Sequence, residues 1–336
     1  MLVTCYLDPS HGFRHLSLIL AGSIELAAVE RIQLQFAPGR IGRAVPPMEC
    51  VLEFDLQLAD GRTIRGAFDV YDRSDVFDMH ALAASSLYWK RSFHRPDIER
   101  LPDSLRSKVL PFGPNFACRG ARDWHSIPPR PELAAGWENY RSGVTLEEFE
   151  QTPAAAPEPA ILLQTRVWSP GSTSDHVEEI NESRVAVLRA LRSAFPGRFY
   201  GGLVPNPHAE RWYSDLISPY PNDPIPFAAF RQRHLIGVST RGLHYSVPFK
   251  IPEYMAASMA IVSDPIRNEM AAPFVAGRHY LEFRTPDECV ERCDRILSSP
   301  ALACALREAG WGYYRSHVRP PARIADMLAR LASLGD

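Results

Sequence analysis

Ser239-Thr-Arg-Gly-Leu-His-Tyr-Ser-Val-Pro-Phe-Lys-Ile-Pro-Glu-Tyr-Met-Ala-Ala-Ser-Met-Ala-Ile-Val-Ser-Asp264 is the stretch that decides how this chain reads. It follows the apolar run Leu235-Ile236-Gly237-Val238 and closes on Met259-Ala260-Ile261-Val262. Short continuous apolar runs of this kind read as strands buried on both faces of a parallel sheet. Between them the pattern predicts a helix whose approach and first turn carry a hydroxyl, a cation and a carboxylate: Ser246, Lys250 and Glu253. A strand, a glycine-containing turn and a helix start offer free backbone N–H groups to an anion. Lys250 adds a full positive charge, and Glu253 can accept two hydroxyl hydrogen bonds. Together these groups suit a nucleotide diphosphate with its ribose.

On these residues the chain resembles the nucleotide-sugar-binding half of a GT-B glycosyltransferase of the bacterial polysaccharide type. Pro252-Glu253-Tyr254 corresponds to the turn of the phosphate-contacting helix in that family. Many retaining members carry two glutamates eight positions apart here. In this chain the second is Glu253 and the first position holds Tyr245, a departure that leans toward inversion. The resemblance implies two Rossmann-like α/β domains facing a cleft, with C-terminal helices crossing back to the N-domain. It also implies a nucleotide-sugar donor, a glycan or lipid-linked acceptor, no cofactor and no metal requirement.

The regions around this stretch support the same class. Gln151 to Pro159 is Pro- and Ala-rich and reads as a linker. Beyond it, strands at Ala160–Thr165 and Arg198–Val204 alternate with an amphipathic helix from Asn181 to Phe195. Helical stretches near 209–216 and 227–233 follow, and a short strand covers His279 to Phe283. Thr285-Pro286-Asp287-Glu288 is a capping box with proline at the first helical position. Such alternation argues for a doubly wound parallel sheet. Before the linker, strands are expected at 2–7, 50–58, 63–71 and 108–113, with helical character at 16–32 and 80–86. Ala59-Asp60-Gly61-Arg62 joins two of those strands as a hairpin embellishment. Residues 120–150 read as irregular, and the chain after Pro300 as helical. The expected division is an acceptor domain over 1–150, a donor domain over 160–300, and helices over 301–336 packing back on the first.

With 336 residues, 46% hydrophobic and 23% charged, and a formal charge of −2, the composition is that of a globular protein with room for two domains. No basic stripe marks a nucleic-acid binder. No apolar run approaches the roughly 20 residues that span a bilayer, which leaves only peripheral membrane contact open. The N-terminal residues lack a basic leader pattern, and the six cysteines form no C-x-x-C, so a reducing, cytoplasmic setting with buried free thiols is expected.

Candidates for chemistry sit at predicted strand ends. On the donor side these are Arg166 and Trp168, Gly202, His244, Ser246, Lys250 and Glu253. Arg166 suits a diphosphate clamp or a structural role. Trp168 suits a base, a sugar or packing. Asn181 suits a helix N-cap, and His244 a phosphate contact or a plain turn. On the acceptor side, Asp72, Asp75 and His11 are candidates for the base that takes a hydroxyl proton, with capping as the alternative for the aspartates. Lys90 and Arg91 suit an anionic acceptor or an ordinary solvated surface. Two other functions share these features: a nucleotide-sugar epimerase, and a non-catalytic sugar-nucleotide-binding protein.

Overall fold

Five strands of the first sheet run one way, and a single antiparallel strand sits in the middle. In the computed structural model, which describes residues 1–39, 48–120, 131–172 and 176–335, these strands are β1 (Leu2–Leu7), β2 (Gln33–Pro38), β3 (Val51–Gln57), β4 (Thr63–Asp69), β5 (Leu87–Lys90) and β6 (Val109–Pro111). Their order is β2-β1-β3-β4-β5-β6. β3 pairs antiparallel with both neighbours, while the β1–β2, β4–β5 and β5–β6 pairs are parallel. The hairpin expected as an embellishment is thus the centre of the sheet, which brings Val51, Leu52, Phe54, Phe68 and Trp89 into the core. Phe54 and Phe68 stack at 4.7 Å. β2 escapes sequence reading because it is an edge strand with only half-covered side chains, so it lacks the apolar run of an inner strand.

The second sheet comprises β7 (Glu158–Thr165), β8 (Phe199–Leu203), β9 (His234–Ser239), β10 (Ala260–Ser263) and β11 (Leu281–Glu282). It is parallel throughout, in the order β11-β10-β9-β7-β8. The apolar runs at 235–238 and 259–262 are its inner strands β9 and β10, with Ile236, Val238, Ile261 and Val262 fully buried. The helix Val177–Ala194 presents Val185, Leu188 and Leu191 to this core, and Pro286–Ser298 adds Cys289, Cys293 and Ile296. Each such side chain contributes roughly 1.5–3 kcal/mol by leaving water.

The chain divides into two units: residues 1–147 with 267–273 and 315–336, and residues 148–266 with 274–314. This differs from the sequence expectation in detail. The helix Pro300–Tyr313 stays with the second unit, and only Pro320–Ala332 joins the first, after a π-helical turn at Tyr314–Val318. Pro320–Ala332 packs on Phe13–Ala28 so closely that a Cβ on Gly22 would lie 2.5 Å from Ile324 Cγ1. The segment 151–159 is tied to its own unit, since Gln151 N donates to Ala256 O and Ala155 O accepts from Arg307. Of the stretch read as irregular, 121–130 lies outside the described residues. The rest folds as a turn at Pro131–Leu133 and helices at Ala134–Arg141 and Leu146–Phe149, with Trp137 edge-on to Phe13 at 5.1 Å. Among the described residues no helix is long and apolar enough to cross a membrane.

Candidate active site

In the second sheet chain order reverses between β7 and β9, since β8 lies beyond β7 and β10 beyond β9. Ligands of open parallel sheets bind outside the carboxyl ends of the strands at such a switch point, where the two connecting helices diverge to opposite faces. Thr165 ends β7 here, Ser239 ends β9, and Thr240 follows it. Gly237 lets the helix Lys250–Ala256 approach the sheet. A Cβ there would lie 2.6 Å from the Tyr254 ring, and Tyr254 Oη donates to Val238 O at 3.1 Å. That packing brings Lys250 Nζ to 3.2 Å from Thr165 Oγ1.

Arg184 closes the same corner. It lies on the buried face of Val177–Ala194 and donates to Thr240 Oγ1 (3.1 Å), Arg166 O (2.5 Å) and Arg241 O (2.7 Å). One guanidinium therefore ties the loop after β7 to the loop after β9. It also lies 4.4 Å over the Trp168 ring, whose backbone N and O are both held by the Asn181 amide. Asn181 lies a turn inside its helix and orders this loop; it is not the N-cap expected from the sequence.

Among the described residues positive charge exceeds negative at this corner. Desolvation, then repulsion from Arg184, lowers the Lys250 ammonium to about 7, against the pull of Glu253. Desolvation lowers Arg184 to about 9, so it stays charged at neutral pH. Asp264 accepts from Arg241 N at 2.8 Å, and its own burial pushes its pKa up. Among the described residues no carboxylate lies within ion-pairing distance of Lys250, Arg184 or Arg166. His244 and Tyr245 add backbone strain, with φ of 53° and 59° in successive non-glycine residues. Such geometry costs about 1–3 kcal/mol per residue and collects at functional sites.

The other donor-side candidates fall differently. Glu253 binds Arg231 Nη2 at 2.7 Å and keeps 16% of its side chain exposed. Arg166 is exposed at the rim. Ser246 is buried and closes the turn back to Gly242 through its backbone. Gly202 lies against the chain's own backbone: a Cβ there would meet Leu216 O at 2.5 Å and Ser218 Cα at 3.1 Å. Its bare backbone accommodates the chain's own 216–218 segment.

The first sheet gathers His11, Asp72, Lys90 and Arg91 at its own carboxyl edge. Lys90 and Asp69 are fully buried and paired at 2.7 Å, with Tyr88 Oη donating to the same oxygen at 2.5 Å. Arg91 is buried too and pairs with Asp72. Neither cation is the solvated surface group that the sequence allowed. His11 Nδ1 accepts from Asp8 N at 3.0 Å, leaving Nε2 to donate to Val51 O at 3.0 Å. Asp75 is held by Arg73 at 2.8 Å, and that bond lowers its pKa. Asp78 caps Met79–Ala84. Cys304 is exposed, while the other five cysteines are buried, and all six are free.

Sequence reading passed over Arg184, Thr240, Arg241 and Arg231. One signal was available: an arginine inside the apolar stripe Val177-Ile180-Val185-Leu188 has no place there unless it meets polar groups. For Arg231, whose partner is Glu253 in another helix, sequence spacing carries no signal.

Residues 182–329 match the family model described as "Glycosyl transferase-like". Among solved structures, the C-terminal domain of a glycosyl transferase group 1 family protein from Francisella tularensis is 12% identical, with 52% of this chain and 97% of that one covered and a TM-score of 0.38. The Anabaena protein HepE, solved in complex with UDP-glucose, is 9% identical over 77% of this chain and 71% of its own, at a TM-score of 0.44. A UDP-GlcNAc 2-epimerase from Neisseria meningitidis is 14% identical, with 76% and 63% covered, at 0.39. No curated protein matches. The chain itself comprises two α/β units, the second with a parallel Rossmann-like sheet. Its glycosyl transferase-like segment runs from the helix that carries Arg184 to the helix Pro320–Ala332.

Proposed function

We propose that this protein transfers a sugar from a nucleotide-activated donor to a glycan or lipid-linked acceptor, with the donor diphosphate seated at the β7–β9 switch point. The observation that carries this reading is the excess of cations there. Lys250, Arg184 and Arg166 converge on one strand edge with no carboxylate in ion-pairing reach among the described residues. A diphosphate supplies the missing negative charge. As the sugar departs, charge builds on that diphosphate, and fixed cations stabilise it most at that moment. On this reading the cations do the work a metal would otherwise do. Trp168 borders the base or sugar, and Glu253 offers its remaining acceptor capacity to the ribose. Of the three base candidates, His11 has both ring nitrogens engaged, Asp75 is held by Arg73 and Asp72 by Arg91, and none is favoured over the others.

A thermal-shift screen of nucleoside diphosphates and nucleotide sugars tests the donor site. A ligand at a hundredfold excess over its Kd stabilises the fold by about 2.7 kcal/mol. The expected result is a rise in Tm with one base, lost in the Lys250→Ala, Glu253→Ala double variant. Well-folded protein that responds to no nucleotide sinks the reading. An epimerised nucleotide sugar with no nucleotide released replaces the transferase by the epimerase. Among His11→Asn, Asp72→Asn and Asp75→Asn made singly, the base is expected to be the one whose loss abolishes transfer while leaving the Tm shift intact.

A further inference from the structure

Among the described residues the switch point gathers more cations than carboxylates, and one member of the cluster is able to lose its charge. Lys250 Nζ has a neutral hydroxyl, Thr165 Oγ1, as its hydrogen-bond partner. The charged groups facing it come from every element around the corner. Arg166 lies on the loop after β7, Arg184 on Val177–Ala194, Arg231 on the helix Pro224–Arg231, Glu253 one turn along from Lys250 itself, and Asp264 after β10. Arg241 stands beside Asp264 and Arg184. Glu253 is engaged by Arg231, and Asp264 by the Arg241 amide. The two carboxylates near Lys250 thus each have another partner. The arginines remain guanidinium ions throughout the physiological range, so relief of the repulsion falls to the lysine.

We propose that binding of a nucleoside diphosphate ligand at this site is proton-coupled: Lys250 Nζ, set among arginines with a neutral hydroxyl as its hydrogen-bond partner, takes up a proton from solvent as the diphosphate enters. This rests on the donor-site reading above. The balance is simple. A solvent proton adds to the amine lone pair, the ammonium then faces two fixed phosphate charges, and no other bond changes. Desolvation and Arg184 push the free lysine down to about 7; a bound dianion pushes it back up. Arg184 is a positioning residue here, holding the two loops and setting the field in which Lys250 titrates.

The linkage has a defined sign. Below about pH 7 the free site is already charged and binding takes up little. Near pH 8 roughly 0.9 proton enters per ligand, and above that the affinity falls about tenfold per pH unit. Titration calorimetry with UDP-glucose, ADP-glucose and GDP-mannose tests this, because the diphosphate of each keeps its charge across pH 6–9. Measured at pH 8 in two buffers of different ionisation enthalpy, the apparent binding heat of wild type is expected to differ in proportion to proton uptake. Lys250→Arg, whose charge is fixed, is expected to bind with no uptake and with affinity flat from pH 7 to 9. Lys250→Met is expected to bind weakly and equally flat. Binding by wild type with no uptake, or the same uptake in Lys250→Arg, overturns the proposal while leaving the donor site in place. Absence of binding by all three nucleotide sugars at pH 6, where the lysine is about nine-tenths charged, overturns the donor-site reading itself.

Discussion

The carboxyl edges of the two sheets use the same residue types to opposite ends. In the first unit the buried cations at the ends of β4 and β5 have carboxylates: Lys90 pairs with Asp69, and Arg91 with Asp72. In the second, Arg184 and Lys250 spend their hydrogen bonds on carbonyl and hydroxyl oxygens. A matched pair satisfies itself and holds loops in place. An unmatched cluster costs stability and leaves its charge for something that arrives later. A neutral partner alone does not mark an anion site, since buried Arg307 and Arg323 also donate to carbonyls; what sets the β7–β9 edge apart is that several cations gather at one strand end.

The largest expected effect breaks the matched edge. Lys90→Met leaves Asp69 buried without its counter-ion, which costs about 3–5 kcal/mol. Chemical denaturation of the variant is expected to show that loss, while nucleotide-induced shifts in the folded fraction persist. A variant as stable as wild type would mean that the Tyr88 hydroxyl alone suffices for Asp69.

Next comes the unmatched edge. A lysine whose folded pKa lies below its unfolded value of 10.5 binds fewer protons when folded, so between about pH 7 and 10.5 stability rises with pH. Its destabilising effect is complete below about pH 7 and fades as pH climbs toward 10.5. Lys250→Met is therefore expected to be at least as stable as wild type at pH 6, with the gap closing toward pH 10. Denaturant midpoints measured across this range decide it, and a wild-type protein that is more stable at pH 6 than the variant would show Lys250 to be neutralised by some other group.

The smallest effect belongs to the exposed pair. Arg73→Ala removes the partner of Asp75, with both side chains well exposed. Surface pairs contribute about 0–1 kcal/mol, so the midpoint is expected to move within that span. A larger loss would mean that this loop behaves as part of the matched edge.

Much of the second unit was legible because parallel inner strands announce themselves. Leu235–Val238 and Met259–Val262 are apolar without alternation, and Thr285-Pro286-Asp287-Glu288 starts a helix where expected, with Thr285 accepting from Glu288 N. Lys250 and Trp168 could be singled out because they sit at strand ends or helix starts. Gly202 could not be judged from the sequence, since whether a bare backbone meets ligand or protein depends on Leu216 and Ser218. The central place of the β3–β4 hairpin was equally hidden, because a hairpin's own sequence fixes its pairing and says nothing of its outer neighbours.

By itself the sequence determined the parallel character of the second unit, the position of the helix bearing Lys250, and the supply of cations around it, all of which are local properties of short segments. Tertiary structure decided which cations are neutralised. Lys90 meets Asp69 21 residues away, Arg231 meets Glu253 across two helices, and Arg184 reaches carbonyls 18 and 57 positions off. The field at a charged group depends on distance and desolvation, and both are set only when the strands have come together.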